Sequence, residues 1–382
     1  MMSEMALELL FWLSVALIVY AHVGYALVLR ALTALLDTGD SLGRRFAPVE
    51  PVEVDLIIAA YDEERVIERK VANALALDYP PELLRVVVAS DGSSDRTVEL
   101  ARAAGADLVL DLPRGGKVAA LNEAVRQTQA PVVAFSDANS FWHSDALARL
   151  VARLRQEGVG YACGQVRFSG GEGGNQEGLY WRYEMALRGM ESGLAGITAG
   201  NGGIYAVRRE AYIELDPSRG QDIGFPFEIT KRGRRAVYEP TAVAEERMAP
   251  TVEGEFKRKR RMMWGLWDVM LKWGMLNPRG YSPAYAFEIY SHRLGRYLTP
   301  WLHIIALVTN FALLGQGSLY AVTMALQLGL LLAAALGRFV PFLPLRIAYY
   351  YVTVTASIAA GLFDRIRAGR VPIGWEKVEG TR

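Results

Sequence analysis

The sequence predicts an α/β domain set between apolar helical segments, and three observations carry that prediction. Short β-branched runs alternate with longer amphipathic stretches from Val52 onward. A polar cluster closes each of the first four strand-to-helix steps. Apolar blocks lie toward both ends of the chain, while the region between them carries mixed charge.

The first apolar block, "LLFWLSVALIVYAHVGYALVL" from Leu9 to Leu29, has no formal charge and would span roughly 30 Å as a helix. It is too long for a signal-peptide core, and no clear small-residue cleavage site follows it, so a retained anchor is expected over residues 1–30. Residues 31–50 read as a linker.

In the central region, "VEVDLIIAAY", "LRVVVAS", "ADLVLDL" and "PVVAFS" read as strands. The stretches "EERVIERKVANALAL", "DRTVELARAAG", "KVAALNEAVRQTQ" and "SDALARLVARLRQ" read as the helices that follow them. Apolar strands alternating with helices indicate a parallel sheet covered on both faces. Ligands of such sheets bind beyond the C-terminal strand ends. There the sequence has "YDEE" (Tyr61 to Glu64), "SDGSSDRT" (Ser90 to Thr97), "RGGK" (Arg114 to Lys117) and "SDAN" (Ser136 to Asn139). Each alone is an ordinary turn composition, since Asp and Asn side chains bond the nearby backbone. Together they are chemically complementary: Asp91 suits a base or ribose, Lys117 a phosphate, and Asp137 a metal or a ribose hydroxyl.

A second apolar block, from about Tyr297 to Phe363, divides at "GQGS" and "GRFVPFLPLR" into candidate spans near Leu298–Leu314, Leu319–Leu336 and Leu345–Phe363. Arg30, Arg44 and Arg45 follow the first span, and Arg293 and Arg296 precede the second. By the positive-inside rule the central domain is cytoplasmic, on a multi-pass protein of the inner (plasma) membrane. Three C-terminal spans would carry "RIRAGR" (Arg365 to Arg370) to the opposite side, against the same rule, so the count stays at two or three.

Composition excludes several classes. Net charge over the 382 residues is +1, which recommends no nucleic-acid partner. Cys163 is the single cysteine, so no internal disulfide or Cys-based zinc site exists, and four scattered histidines argue against a His-rich metal centre. No Gly-x-Gly-x-x-Gly follows a strand and no P-loop occurs, which disfavours a dinucleotide oxidoreductase and a P-loop NTPase.

The motifs "IIAAYDEE", "SDGSSDRT", "RGGKVAALN", "FSDAN", "GNGGIYAVRRE" and "QDIGFPFEITKRGRRAVYEP" occur in the order used by family 2 glycosyltransferases. From Pro51 to Gly265 the chain resembles membrane-bound members of the cellulose synthase-like group, and "SHRLGRYLTPW" fits their approach to the C-terminal helices. The resemblance implies a GT-A fold, a nucleotide-sugar donor, a divalent cation (Mg2+ or Mn2+) and inversion at the anomeric carbon. By that resemblance Tyr61, Glu63 and Asp91 hold the nucleoside, Lys117 the diphosphate, and Asp137 the metal. Asn139 stands at the third position of the family's Asp-x-Asp element, so substrate diphosphate oxygens would complete the cation's ligands. Asp222 in "QDIGF" matches the acceptor-side acid and would act as general base; a helix N-cap is its structural alternative.

The family's Gln-x-x-Arg-Trp element aligns with Arg258, Arg261 and Met262. Arg261 would stabilise the departing diphosphate, while Arg258 and Met262 replace the Gln and Trp of polymer-forming relatives. The basic run is equally suited to anchoring on lipid headgroups. "WGLWDVMLKWGML", from Trp264, reads as an interfacial helix. The glycines of "GITAGNGGIYAV" suit either close approach of backbone to donor or a strand irregularity.

The expected organisation is therefore an anchor (1–30), a linker (31–50), a GT-A catalytic domain (51–262), an interfacial segment (263–296), C-terminal membrane helices (297–364) and a tail (365–382). The expected reaction is transfer from a nucleotide-sugar, a UDP-sugar by preference, to a lipid-linked or polysaccharide acceptor. A processive, chain-exporting synthase, a non-catalytic nucleotide-sugar sensor and a nucleotidylyltransferase are the competing readings.

Overall fold

The computed structural model describes residues 3–36, 50–169, 176–247 and 252–368. Residues 37–49 of the expected linker, with Arg44 and Arg45, lie outside these, as do residues 369–382 of the tail, with Arg370.

The chain opens with two α-helical stretches, α1 (Glu4–Val19) and α2 (Tyr25–Leu35), joined through a π-helical turn at Tyr20–Gly24 into one continuous rod. Four strand–helix units follow: β1 (Val54–Ala60) with α3 (Ile67–Leu75), β2 (Leu84–Asp91) with α4 (Thr97–Ala103), β3 (Leu108–Leu112) with α5 (Lys117–Arg126), and β4 (Val132–Asp137). The fourth strand leads through the short β5 (Phe141–Trp142) into α6 (Ala146–Leu154). All seven residues of β1 are buried, because the strand is covered on both faces. Leu56, Ile58 and Ala60 share one core with α3 and α6, whereas Ile57 and Ala59 share the other with α5. That alternation is the period-2 pleat of a strand buried twice over.

β1 pairs in parallel with both β2 and β4, and β2 pairs in parallel with β3, as the strand–helix alternation predicts. Beyond β4 the sheet departs from the expected parallel arrangement. The later elements are β6 (Val159–Ser169), α7 (Gln176–Leu194), β7 (Tyr205–Arg208), α8 (Gln221–Lys231) and β8 (Arg235–Arg247). The full order is β3-β2-β1-β4-β7-β6-β8-β5, with β7 antiparallel to both neighbours and β5 antiparallel to β8. The sheet is thus mixed: β7 runs antiparallel between β4 and β6.

Next, α9 (Val252–Leu271) runs without a break through the expected 262/263 domain boundary. It is followed by α10 (Pro283–Glu288), a π-helical turn (Ile289–Leu294), α11 (Gly295–Ala312), α12 (Ser318–Gly337) and α13 (Leu343–Ala368). Among the described residues two segments are long and apolar enough to cross a membrane, Glu4–Leu35 and Ser318–Gly337. Helix α1 packs on α11 and α12 through Phe11, Ala306, Leu313 and Tyr320.

The Trp-rich stretch of α9 does not turn its apolar face outward. Leu266, Trp267, Val269 and Met270 are buried in one cluster with Tyr285, Tyr297 and Ile358. Helix α13 crosses α9 at Gly361, where a Cβ would lie 2.7 Å from Met263 Cβ and 2.8 Å from the Trp264 backbone N. Around that crossing Arg260 forks onto Asp364 at 2.5 Å, and Arg365 Nε donates to Asp268 Oδ1 at 2.7 Å. These pairs tie the start of "RIRAGR" to α9.

Candidate active site

The four polar clusters meet at the C-terminal edge of β1, β2, β3 and β4. After β1, Asp62 adopts a positive φ of 48°, and its Oδ1 accepts from Ser94 N at 2.7 Å, joining the first two loops. The neighbouring Glu63 is buried, and its backbone N–H donates to Thr97 Oγ1 at 2.6 Å. The Tyr61 ring lies 3.3 Å beneath the Arg114 guanidinium carbon.

Asp91, at the end of β2, is fully buried and organises the third loop. Its Oδ1 accepts from Gly115 N at 2.7 Å and Gly116 N at 2.9 Å, and its Oδ2 accepts from Arg114 Nη1 at 2.9 Å. A carboxylate caged by backbone N–H groups fixes that loop's path, and the loop delivers Lys117 as the first residue of α5.

From α5 the Lys117 ammonium pairs with Asp137 Oδ1 at the end of β4. The backbone of "SDAN" does form a turn, with Ser140 N donating to Asp137 O at 3.1 Å. The Asp137 carboxylate itself faces the crevice, about one-fifth exposed, and Asn139 sits half-buried in the turn.

Asp222 reaches the same place from the other half of the sheet. The N-cap of α8 is Gly220, so Asp222 lies within the first turn and is not the cap. A Cβ placed on Gly202 would sit 2.6 Å from Asp222 Oδ1 and 3.2 Å from Lys117 Nζ. On Gly203 it would overlap Glu246 Oε1 and come within 2.7 Å of Ser140 Oγ. These two glycines are therefore required by the approach of carboxylates to the backbone, and Lys117, Asp137, Asp222 and Glu246 form one cluster around them.

The electrostatics follow from that crowding. Burial is the largest influence on Asp222 and raises its pKa; Asp137 adds to the rise, while Lys117 and Arg188 oppose it. Glu246 is pushed up to about 7, by burial first and then by Asp137. For Lys117 burial works against the charge, but Asp137, Asp222 and Glu246 outweigh it and the pKa rises. Lys70, wholly buried on α3 with Nζ donating to Ser140 O at 2.5 Å, is lowered to about 7 by burial.

The cluster presents hard oxygen donors whose mutual repulsion a divalent cation would relieve. Among the described residues, however, no group of three or more His, Cys, Asp or Glu side chains could hold a metal ion. A cation at Asp137 would thus take further ligands from a donor diphosphate. Of the remaining predicted residues, Arg261 is half-buried on α9, and Met262 is 46% exposed beside it. The Trp264 indole N–H is buried with no hydrogen-bond acceptor among the described residues. Arg258 lies on the same helix, and its side chain is outside the described residues.

Residues 55–216 match the model of Glycosyl transferase family 2. The structure of the mannosyltransferase PcManGT from Pyrobaculum calidifontis, in complex with GDP-Man and Mn2+, aligns over 94% of this chain and 99% of that one, with a TM-score of 0.71 and 24% identity. The family match covers part of the chain, and the structural likeness shows that the chain shares the fold of that enzyme. Among characterised relatives, the poly-beta-1,6-N-acetyl-D-glucosamine synthase of Staphylococcus aureus (strain COL) is 25% identical over 57% of this chain and 56% of its own length. The beta-monoglucosyldiacylglycerol synthase of Trichormus variabilis is 29% identical over 57% of this chain and 51% of its own. The chain spans about half the length of the curated relatives it matches.

Sequence reasoning missed Glu246, Lys70 and Arg114. Glu246 is the next-to-last residue of the strand that closes with "AVAEER", where two adjacent acids leave the inward one undetermined until the strand's register is known. The structure turns Glu245 toward His143, 3.3 Å away, and Glu246 toward Gly203.

Proposed function

We propose that the chain is a membrane-bound, inverting glycosyltransferase that moves a sugar from a nucleotide-sugar, a UDP-sugar by preference, to a lipid-linked or polysaccharide acceptor. The observation that carries the reading is the convergence of Asp222, Lys117 and Asp137 at Gly202 in the crevice. Asp222 takes the proton of the acceptor hydroxyl as its oxygen attacks the anomeric carbon from the face opposite the diphosphate. The bond from that carbon to the diphosphate oxygen breaks, and its electron pair leaves with the nucleoside diphosphate. The raised pKa of Asp222 makes it a stronger base than an exposed carboxylate. Lys117, and Arg261 from α9, supply positive charge where negative charge grows on the leaving group. Asp137 would hold Mg2+ or Mn2+, which would supply further positive charge for the leaving group. Tyr61, Glu63 and Asp91 shape the nucleoside end, Asp91 acting through the Arg114–Lys117 loop that it fixes.

The catalytic domain lies on the cytoplasmic side of the inner membrane in this reading, held by the Glu4–Leu35 and Ser318–Gly337 helices with α11 and α13 beside them. Similarity to a synthase named for a diacylglycerol glycolipid supports a lipid acceptor. Similarity to a polymer synthase keeps the processive alternative alive, although Met262 replaces the Trp that polymer-forming relatives use.

The test is release of nucleoside diphosphate by purified full-length chain in nanodiscs. UDP-, GDP- and dTDP-sugars are offered with Mg2+, Mn2+ or EDTA, beside Asp222→Asn. Cation-dependent release from one donor, reduced about 100-fold or more in the variant, supports the reading. Unchanged turnover in Asp222→Asn refutes the assigned base, and tight donor binding with no release under any condition favours a sensor.

A further inference from the structure

Away from the crevice, a buried polar network lies where the helices of the chain ends meet the catalytic domain. Its centre is Glu191 on α7, only 1% exposed. One carboxylate oxygen accepts from Tyr25 OH at 2.9 Å and lies 2.5 Å from His292 Nδ1. The other accepts from Thr198, through its hydroxyl at 3.0 Å and its backbone N–H at 3.3 Å. Arg293 Nε donates to that same hydroxyl at 2.8 Å. Burial opposes the charge on Glu191, but His292, Arg293 and Tyr25 outweigh it and the pKa falls. Glu191 therefore meets its donors as a carboxylate, which makes each of these bonds strong.

The donors come from separate parts of the chain. Tyr25 is the first residue of α2, in the N-terminal rod. His292 and Arg293 are consecutive in the π-helical turn before α11. Ser291, just ahead of them, has its Oγ 2.8 Å from the hydroxyl of Tyr20 in the other π-helical turn. Both turns thus meet at this network, and π-helical turns are frequent at functional sites. Thr198 begins the stretch that leads into the crevice. Two residues on, Gly200 N donates to Asp222 O at 2.6 Å. Two further on, Gly202 lies so close to Asp222 Oδ1 that a Cβ would stand 2.6 Å from it. Direct contacts therefore run without a gap from Tyr25 through Glu191, Thr198 and Gly200 to Asp222.

We propose that Glu191 is a positioning residue through which the N-terminal helix, by way of Tyr25, sets the Thr198–Gly202 loop and with it the base Asp222. The proposal rests on the glycosyltransferase reading and adds to it residues that touch no substrate. Turnover then depends on how the N-terminal helix is seated, because a shift of the base by about 1 Å costs on the order of 100-fold in rate. Donor affinity does not, because Tyr61, Glu63 and Asp91 stand on the first strands, away from this loop.

Hydrogen exchange and kinetics of the full chain in nanodiscs test it with Tyr25→Phe, which removes one hydroxyl and keeps the ring. Tyr183→Phe is the comparison. Tyr183 OH also joins α7 to the N-terminal rod, donating to His22 O at 2.7 Å, but it makes no bond to Glu191. In Tyr25→Phe the amides of residues 197–203 should exchange about tenfold faster or more, the size of one hydrogen bond to a charged group. The kcat for nucleoside diphosphate release should fall by about tenfold, with affinity for the diphosphate of the active donor unchanged. Glu191→Gln should loosen the same amides at least as much. Tyr183→Phe should match wild type in loop exchange and in kcat.

Loop exchange unchanged in Tyr25→Phe, or raised equally by Tyr183→Phe, overturns the proposal. A loosened loop with wild-type kcat overturns it too, while leaving the glycosyltransferase reading intact. If the wild-type chain turns over no donor, the glycosyltransferase reading falls by itself. Selective loosening of the loop in Tyr25→Phe would then still establish the link from helix to loop, without the base that it was to position.

Discussion

Replacing Gly202 with alanine probes how closely the crevice is built around Asp222. Gly202 does not require a positive φ, so alanine is excluded by space alone. A Cβ there would stand 2.6 Å from Asp222 Oδ1, and ordinary contact begins near 3.4 Å, so the carboxylate must retreat by about 0.8 Å. Displacement of a reacting group by about 1 Å costs on the order of 100-fold in rate, equivalent to about 2.7 kcal/mol of barrier. Overpacking would cost about 1–3 kcal/mol of stability, partly offset by the ~0.4–1 kcal/mol that alanine gains by restricting the unfolded chain. The variant should therefore fold with a Tm lowered by only a few degrees, yet release nucleoside diphosphate about 50–100 times more slowly. Donor affinity, read by titration with the unreactive nucleoside diphosphate, should fall much less than kcat. A Gly202→Ala protein with wild-type kcat would refute the placement of Asp222 as the base, because the carboxylate would then be free to move without consequence.

Glu246 makes the stability depend on pH. Its folded pKa of about 7 exceeds the ordinary 4.5, so ionising it opposes folding, and the penalty grows as pH rises from about 4.5 to 7. It reaches on the order of 3 kcal/mol. Glu246→Gln should therefore be more stable than wild type at pH 8 and nearly equal to it at pH 4.5, as read by thermal unfolding without added cation; equal stability at both pH values would contradict the burial argument. Asp91→Asn replaces a buried acceptor of three N–H groups with an amide that must turn one NH2 toward donors. A loss of about 1–3 kcal/mol of stability and weaker donor binding are expected, checked by denaturant unfolding and donor titration; a variant matching wild type in both would mean that the Arg114–Lys117 loop holds itself. At the α9–α13 crossing, Gly361→Val should cost about 1–3 kcal/mol by overpacking. Faster proteolysis near α13, with the nucleotide crevice still able to bind donor, would follow.

The first half of the sheet was legible because burial on both faces removes the need for polar residues within a strand. The run Val86-Val87-Val88 and the fully buried β1 announce themselves for that reason. The second half was not legible. β7 is four residues long, and its place between β4 and β6 is set by pairings such as Val133 with Val207 and Tyr161 with Val207, which no local pattern encodes. The same division runs through the site. Asp137, Lys117 and Asp222 each stand at a strand end or helix start, where side chains point into the crevice by position alone. Glu246 depends on the register of β8 against β6, in which Glu245 meets Arg167 and Glu246 meets Phe168. Its role could not be read before that pairing was known.

The C-terminal helix shows how charges counted singly in a sequence find partners once helices cross. Counting "RIRAGR" as free positive charge sets α13 against the positive-inside rule if each apolar block is a straight span. In the structure Arg365 is bonded to the buried Asp268, and Asp364 just before it is bonded to Arg260. Acid and base alternate across the α9–α13 contact, so the contact is matched in charge, with the Arg365–Asp268 pair more buried than Arg260–Asp364. Gly361 lets the two backbones approach closely enough for short side chains such as Asp364 and Asp268 to reach their partners. Sequence supplies the charges, but only the crossing of the helices decides which are neutralised within the protein.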